Sequence, residues 1–162
     1  MKELNLKRRC RVKSREAKQI LAWMDDEFGI QFDEKPAVEA GSLDGEKAYI
    51  MKNRIVAVDM KGRLMLTLHG VLALKPEKRW ITVDMGAVKF LANGADVMAP
   101  GIVDADPEIE PEDMVWVRDE KNGQPLCTGR SLMRGGEMVP AKGGKAVDTM
   151  HFVGDPIWNV EL

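Results

Sequence analysis

The stretch Trp80–Val103 reads WITVDMGAVKFLANGADVMAPGIV, and its pattern changes several times along its length. Its first four residues are apolar or β-branched and predict a strand. A short helix with an apolar side is predicted over Met85–Ala92, and Asn93-Gly94 ends it. Val97–Met98 then predicts a brief strand that is closed by a Pro-Gly pair. This order of elements indicates a compact unit that mixes short strands with one small helix.

Short apolar runs continue toward the C-terminus. Strands are predicted over Met114–Arg118, Pro125–Met133 and Ala146–Val153, with turn and glycine-rich segments between them. Many short strands combined with one short helix indicate a small closed or half-closed barrel. We therefore expect residues 77–162 to form one domain.

Upstream of this barrel, a longer helix is predicted after a basic beginning of the chain. Ser14 is its expected N-cap, and Gly29 is its expected stop signal. The apolar residues between them recur at the spacing of one helix face: Ala17, Ile20, Leu21, Met24 and Phe28. Such a face predicts a helix that packs on other elements.

A set of apolar, β-branched runs separated by short turns follows this helix. Strands over Ala48–Met51, Arg54–Asp59 and Arg63–Leu68, completed by Val71–Leu74, predict an antiparallel meander under the helix. The charged segment Lys75–Lys78 contains a proline and is predicted to be a solvated linker. The fold class is therefore α+β, with a basic N-terminal domain over residues 1–76 and the barrel over residues 77–162.

The net charge of −2 conceals an uneven distribution along the chain. Residues 1–102 carry 18 basic and 14 acidic side chains, whereas residues 103–162 carry 6 basic and 12 acidic ones. The basic excess lies at the front: Lys2, Lys7, Arg8, Arg9, Arg11, Lys13, Arg15 and Lys18. The acidic excess lies in a proline-containing run: Asp104, Asp106, Glu108, Glu110, Glu112 and Asp113. The basic cluster suits a phosphate backbone, although a solvated face that binds nothing has the same composition.

The basic cluster includes a segment that is predicted to be extended. In a strand, Lys7, Arg9, Arg11 and Lys13 would project from one face, where like charges repel each other unless an anion lies across them. We expect RNA phosphate to be that anion. The alternative is neutralisation within the molecule by the acidic run 104–113, but a proline-interrupted loop is not expected to be held rigidly against this face.

Residue types that support catalysis are scarce. The chain has no GxSxG, HExxH or Walker-type phosphate-loop motif, and its only histidines are His69 and His151. Cys10 and Cys127 lie far apart and have no CxxC partner, so two buried thiols are predicted rather than a zinc site or a disulfide. Both histidines are expected to be half-buried strand residues. We therefore predict a protein that is not an enzyme, with no metal and no cofactor.

The stretch that decides the fold also resembles a known RNA-binding module, the PUA domain. That module has a strand, Asp-x-Gly-Ala, a short helix, Asn-Gly-Ala, a short strand and Pro-Gly, and residues 80–103 contain each of these in order. The segments 112–117, 127–131, 143–147 and 151–158 are similar to its later strands, so the resemblance covers residues 78–158. It implies a PUA pseudobarrel.

The resemblance also implies which residues contact RNA. An exposed surface of helix and loop is expected to bind it: Lys89, Asn93, Gly94, Met98, Ala99, Pro100 and Gly101. Arg130, in the glycine-containing strand, and Arg9 and Arg11, in the basic head, complete the expected set. Gly86, Ala87 and Gly129 are expected to build the fold rather than to touch the ligand.

The order of the two domains resembles archaeal relatives of the malignant T-cell-amplified sequence protein and of ligatin. This resemblance implies a translation-associated protein that binds structured RNA, either tRNA or small-subunit ribosomal RNA. The small ribosomal subunit and a translation-factor protein are the implied partners. Two alternatives stay open: an accessory or split subunit of an RNA-modification enzyme of the archaeosine transglycosylase type, and a scaffold whose acidic run 104–113 docks a basic protein.

The cellular location of the protein is predicted from two kinds of segment that its sequence does not contain. No stretch approaches the roughly 18 apolar residues of a transmembrane helix. The N-terminal sequence is basic but has no apolar segment behind it, unlike a secretion signal. We therefore expect a cytoplasmic protein that has no contact with membranes.

Overall fold

The computed structural model describes residues 2–162 and confirms the α+β class. In the N-terminal half, residues 2–76, the elements are β1 (Leu6–Arg11), α1 (Ser14–Phe28), β2 (Glu39–Leu43), β3 (Glu46–Met51), β4 (Arg54–Met60), β5 (Arg63–Leu66) and α2 (Leu68–Leu74). In the C-terminal half, residues 77–162, they are β6 (Trp80–Val83), α3 (Met85–Leu91), β7 (Val97–Met98), a 3-10 turn (Ala99–Gly101), β8 (Ile102–Ala105), β9 (Met114–Asp119), β10 (Pro125–Ser131), α4 (Gly135–Met138) and β11 (Lys145–Phe152).

The N-terminal half is an antiparallel sheet in the order β1-β2-β3-β4-β5, as the meander predicts. Its tight turns use residues with positive φ, such as Lys52 (φ 50°) and Asn53 (φ 58°), whose backbone twist matches that of the flanking strands. Helix α1 lies on one face of the sheet and buries Ile20, Met24 and Phe28 there. This packing fixes the position of the basic strand β1 relative to the rest of the molecule.

Two predictions for this half are wrong. Ser14 is the first helical residue of α1, while extended Lys13 occupies the capping position without a side-chain hydrogen bond. The run Val71–Leu74 belongs to helix α2 rather than to a strand, because a short apolar run has no period that separates the two structures. The deciding residue is Thr67, whose hydroxyl accepts a hydrogen bond from the backbone nitrogen of Gly70 (2.9 Å) and caps α2.

The C-terminal half is a curled six-stranded sheet in the order β7-β11-β10-β9-β6-β8. All neighbouring strands are antiparallel except β6 and β9, which run parallel. Its interior is filled by aliphatic side chains such as Ile81, Val97, Val117 and Val147. The predicted half-closed barrel is confirmed, although β8 and α4 have no counterpart in the prediction.

The segment between the two halves is held in place by hydrogen bonds of its backbone. The backbone nitrogens of Glu77 and Lys78 both donate to the carbonyl of Phe28 at the end of α1, at 2.8 and 3.1 Å. Trp116 of β9 donates through its indole nitrogen to the carbonyl of Lys78 (2.9 Å). The Trp116 ring is only 5% exposed and packs in the same core as Met24. The two halves therefore share apolar surface, and the predicted linker is fixed through its backbone while its charged side chains Lys75, Glu77 and Lys78 are exposed, as predicted.

A buried histidine joins the halves at a second point. His151 of β11 is 0% exposed, and its Nε2 accepts a hydrogen bond from the backbone nitrogen of Leu68, the first residue of α2 (3.0 Å). Its Nδ1 lies 2.8 Å from Asp155 Oδ2, so Nδ1 carries the proton. Burial opposes ionisation of Asp155, yet hydrogen bonds from His151, Trp158 and Phe152 outweigh it and lower the pKa of this carboxyl.

The predictions for the two histidines and the two thiols are wrong in part. His151 does lie in a strand but is fully buried, whereas half-buried His69 lies in helix α2. Cys127 is buried as expected, and burial raises the pKa of its thiol to about 12. Cys10 is exposed because β1 is an edge strand, in which side chains on both faces can reach solvent.

Replacing Gly70 by alanine is expected to destabilise the protein by about 1–3 kcal/mol or more, because the new Cβ would collide with the backbone oxygen of Val56. Gly136→Ala is the matched control, since a Cβ there meets nothing within 4 Å. The measurement is chemical denaturation of both variants. Equal stability of the two would contradict the close packing of α2 on β4.

Asp155→Asn is expected to lower the free energy of unfolding at pH 7 by about 1.5–3 kcal/mol, the range for a hydrogen bond to a charged group. Because the pKa of Asp155 is lowered in the folded state, this stabilisation is complete above the unfolded pKa of about 4 and is lost as pH falls through the folded value. Denaturation of wild type and variant between pH 3 and 7 should show the gap closing in acid. Asp33→Asn, on an exposed bend, should show no gap at any pH.

Candidate nucleic-acid interface

An open apolar groove lies between helix α3, strand β7 and the 3-10 turn that follows it. Its volume is about 590 Å³, and its walls include Ala87, Leu91 and Val97. Two large apolar side chains stand at its edge with much of their surface in solvent, Phe90 at 58% and Met98 at 50% exposed. Exposed apolar surface of this kind is typical of a binding surface rather than of a core. We call it the α3 groove.

Asp84 holds the two sides of the α3 groove together. Its carboxylate accepts a hydrogen bond from the backbone nitrogen of Ala87 (3.0 Å) and caps α3. Its own backbone nitrogen donates to the carbonyl of Gly101 in the 3-10 turn (2.9 Å). The Asp-x-Gly-Ala pattern of the sequence therefore links the start of the helix to the Pro-Gly turn, and this link shapes the groove.

Lys89 and Asn93 lie on the exposed side of α3, as the sequence predicts. The ammonium nitrogen of Lys89 lies 5.2 Å from the centre of the Phe90 ring, a cation–π distance, and has no carboxylate partner among residues 2–162. The side-chain nitrogen of Asn93 donates to the carbonyl of Lys89 (3.0 Å) and so closes the end of the helix. The side-chain oxygen of Asn93 is therefore available to accept a hydrogen bond from a ligand, and the charge of Lys89 is available to bind an anion.

The Asn-Gly-Ala segment requires glycine for two reasons. Gly94 has φ +85°, a conformation that favours glycine, and a Cβ there would lie 2.7 Å from the Phe152 ring.

In the turn that follows, Met98 and Pro100 are exposed, but Ala99 is fully buried and its nitrogen donates to the Gly144 carbonyl (2.9 Å). Ala99 therefore shapes the turn and offers no side chain to a ligand.

Lys145 is a cation near the α3 groove that the sequence analysis did not select. The register of β7 and β11 places it opposite Met98, and it forms an ion pair with Asp96 at 2.8 Å. This contact lowers the pKa of Asp96, while burial opposes the change. The one feature of the sequence that pointed to this region was the glycine pair before Lys145. It indicated a loop but not that the loop lies near the α3 groove.

Arg130 lies elsewhere, at the junction of the two halves, and does not line the α3 groove. Its guanidinium contacts Glu112 at 2.9 Å and Asp148 at 3.4 Å. Glu112 also binds Arg63 of β5 at 2.9 Å, and these two arginines lower the pKa of its carboxyl. Arg130 is therefore already paired with carboxylates that connect β5 to the barrel.

The basic head does not present the predicted single face. Strand β1 has a bulge between Lys7 and Cys10, where Arg8 has φ +57°, and a bulge interrupts the alternation of side chains. Arg9 is engaged within the molecule: it binds both carboxylate oxygens of Glu39, at 2.9 and 3.0 Å, and donates to the Asn53 side-chain oxygen (2.8 Å). The Arg11 side chain makes no hydrogen bond or ion pair with another described residue, although its charge contributes, after that of Arg9, to lowering the pKa of Glu39.

The acidic run 104–113 is held by specific contacts, and, as expected, none of its ion pairs among residues 2–162 is with the basic head. Asp106 is only 6% exposed and accepts a hydrogen bond from the backbone nitrogen of Arg79 (2.6 Å). The Arg79 guanidinium contacts Asp113 and also binds Glu27 at the end of α1 (3.1 Å). The arginine partners of the run are residues 63, 79, 130 and 134, and the sequence does not show that these four residues converge on it.

Among residues 2–162, no three side chains of His, Cys, Asp or Glu are grouped so as to hold a metal ion. None of the helices in this part of the chain has the length and apolar character needed to cross a membrane.

Comparison with known proteins agrees with the geometry of the barrel. The family model for the PUA domain matches residues 79–153, so the barrel is a PUA domain. A hypothetical protein of Pyrococcus horikoshii has the same fold, with a TM-score of 0.83, 32% identity, and coverage of 93% of this chain and 97% of that one. A conserved PUA domain protein of Thermoplasma acidophilum is similar, with a TM-score of 0.81, 31% identity, and coverage of 91% and 95%.

Relatives that match about three quarters of the chain identify the family more narrowly. The chain is 46% identical over 125 residues to an uncharacterised protein of Methanocaldococcus jannaschii, covering 77% of each. It is 31% identical to the translation machinery-associated protein 20 of Saccharomyces cerevisiae, covering 77% of this chain and 68% of that protein. The chain belongs to the family of translation machinery-associated protein 20 and the malignant T-cell-amplified sequence proteins. It also resembles the archaeosine synthase subunit alpha of Methanosarcina acetivorans, at 39% identity over 101 residues, but spans only 15% of that protein.

Proposed function

We propose that this protein is a non-enzymatic RNA-binding protein of translation that binds structured RNA through the α3 groove of its PUA domain. The observation that carries the proposal is the groove itself, with Phe90 and Met98 exposed at its edge and with Lys89, which has no acidic partner among residues 2–162, next to the Phe90 ring on the outer side of α3. The translation-associated names of its relatives support the cellular role.

The chemistry of the α3 groove suits an unpaired segment of a folded RNA. Single-stranded bases stack on aromatic side chains, at a gain of about 1–3 kcal/mol per base, and Phe90 offers such a side chain to solvent. Lys89 supplies a positive charge next to the same ring, where a phosphate can bind. The exposed turn at Met98 and Pro100 gives the RNA a second apolar wall.

The free cations of the N-terminal half extend this RNA surface. Arg11 is available to phosphate, whereas Arg9 is held by Glu39 and acts by keeping β1 in place. Arg130 likewise acts by holding strands in place, because it forms ion pairs with Glu112 and Asp148. We propose a division at residues 76 and 77 into a basic N-terminal domain and the PUA domain, both of which contact one RNA.

The ligand that we propose is tRNA or small-subunit ribosomal RNA, and the small ribosomal subunit and a translation-factor protein are the proposed partners. A cytoplasmic location accompanies this role. The partial similarity to archaeosine synthase subunit alpha favours one second candidate, an accessory or split subunit of an RNA-modification enzyme. Affinity purification from cells distinguishes the two, because ribosomal subunits would support the first role and a catalytic RNA-modification chain would support the second.

Lys89→Glu is expected to weaken RNA binding more than about tenfold, or about 1.4 kcal/mol, because it places a negative charge beside the phosphate path. Fluorescence anisotropy with total tRNA and with small-subunit ribosomal RNA fragments at low salt measures the change. Lys121→Glu, in the exposed turn between β9 and β10, is the matched control for net charge. Melting temperatures should match wild type, and unchanged affinity of Lys89→Glu would move the RNA site away from the groove.

Arg11→Ala and Arg9→Ala are expected to differ, because Glu39 forms an ion pair and hydrogen bonds with Arg9 and not with Arg11. Arg11→Ala should flatten the slope of log affinity against log salt concentration by about one contact, with an unchanged melting temperature. Arg9→Ala should instead lower the melting temperature, because it leaves Glu39 and Asn53 without their partner. An unchanged salt slope for Arg11→Ala would remove the basic head from the RNA surface.

A further inference from the structure

A second cavity lies where the two halves meet, apart from the α3 groove. It has a volume of about 310 Å³ and is bordered by the turn between β3 and β4, the start of α2 and the segment 157–162. Asn53, Arg54 and His69 form its polar side, and Ile157 and Val160 form part of its apolar side. We call it the junction pocket.

The junction pocket has a positive charge, that of Arg54, which forms no ion pair among residues 2–162. Arg54 is exposed, and its guanidinium makes no ion pair or hydrogen bond with another residue between 2 and 162. None of the described side chains that line the pocket is a carboxylate. Arg9, Arg79 and Arg130, in contrast, are each bound to carboxylates. Arg54 is therefore suited to bind an anion from outside the molecule.

Two further groups of the junction pocket have free hydrogen-bonding capacity. The side-chain oxygen of Asn53 accepts from Arg9 (2.8 Å), which leaves the Asn53 amide nitrogen without a partner among the described residues. His69 Nε2 lies 3.0 Å from the carbonyl oxygen of Trp158, which can only accept, so Nε2 carries the proton and Nδ1 is left as an acceptor. The pocket thus offers one donor and one acceptor beside the guanidinium.

The His69 ring is also fixed in orientation. It stacks on Trp158 with ring centres 4.1 Å apart and an angle of 15° between the planes. A cavity of about 310 Å³ is at the lower end of the roughly 300–1,000 Å³ that small-molecule sites occupy. A site of this size, with an apolar wall, a donor, an acceptor and a cation, has the features that bind one nucleotide.

We propose that the junction pocket holds one unpaired nucleotide of the bound RNA, with its base against the apolar wall and its phosphate on Arg54. This inference rests on the proposed RNA-binding function. RNA is favoured over a peptide because the pocket continues the basic head: Arg9 of β1 binds Asn53 directly. Because residues of both halves line the pocket, an RNA bound here and in the α3 groove spans the two domains.

The test compares three variants in anisotropy titrations with total tRNA and with a hairpin RNA that has a single-stranded 3′ extension. Arg54→Glu reverses the pocket's charge. Asn53→Asp keeps an oxygen for Arg9 and a residue type that tolerates the positive φ, but removes the amide donor. Lys121→Glu is the control for net charge. Melting temperatures verify folding, and AMP is titrated separately as a free nucleotide.

The expected result is that Arg54→Glu and Asn53→Asp each weaken RNA binding about tenfold or more, while Lys121→Glu binds like wild type. If Arg54→Glu matches Lys121→Glu while Lys89→Glu still loses affinity, the junction pocket is not an RNA site, although the α3 groove remains one. Pocket-dependent binding of AMP with unchanged RNA affinity would assign the pocket to a free nucleotide and overturn the proposal. If the wild-type protein binds none of these RNAs, the proposed function itself is wrong.

Discussion

The arrangement of the two halves depends on the buried hydrogen bond between His151 of the barrel and the backbone nitrogen of Leu68. This bond satisfies a backbone donor at the start of α2 that would otherwise be unpaired in the interior. Asp155 fixes the imidazole in the tautomer that can accept it. At a separate contact between the halves, Trp116 of the barrel packs in the core beneath α1. The two sheets therefore share a buried boundary, and surfaces on both sides of it keep a defined relation.

Internal ion pairs explain which cations remain available to a ligand. The carboxylates at the end of α1 and in the run 104–113 are approached by arginines from several elements, with Arg79 between Glu27 and Asp113. This arrangement also offsets the unfavourable position of acids near a helix C-terminus. Once these pairs are formed, the unpaired cations include Lys89 and Arg11, which lie in different halves. The uneven charge along the sequence is thus partly cancelled in space.

The elements with a strong local pattern could be predicted from the sequence. Helix α1, the meander from β3 to β5 and the Asp-x-Gly-Ala helix α3 followed from spacing and turn residues. Helix α2 could not be predicted because its capping by Thr67 competes with an apolar run that suits either structure.

For the candidate site, Lys89 and the turn at residues 98–101 could be predicted because both belong to the continuous stretch that resembles the PUA domain. The sequence could not reveal three features of the site: the position of Lys145, the counterion of Arg9, and the ion pair of Arg130 with Glu112. Each depends on strands that are distant in sequence and adjacent only in the folded sheets.

The bulge at Arg8 has a consequence for how the protein behaves beside other chains. Strand β1 is an edge of its sheet, and a long regular edge can be extended by a strand from another molecule. The positive φ of Arg8 interrupts the row of backbone groups, and the charged side chains of Lys7 and Arg11 repel a second copy of the same strand. A segment that is suited to attract polyanions therefore also protects the sheet against aggregation.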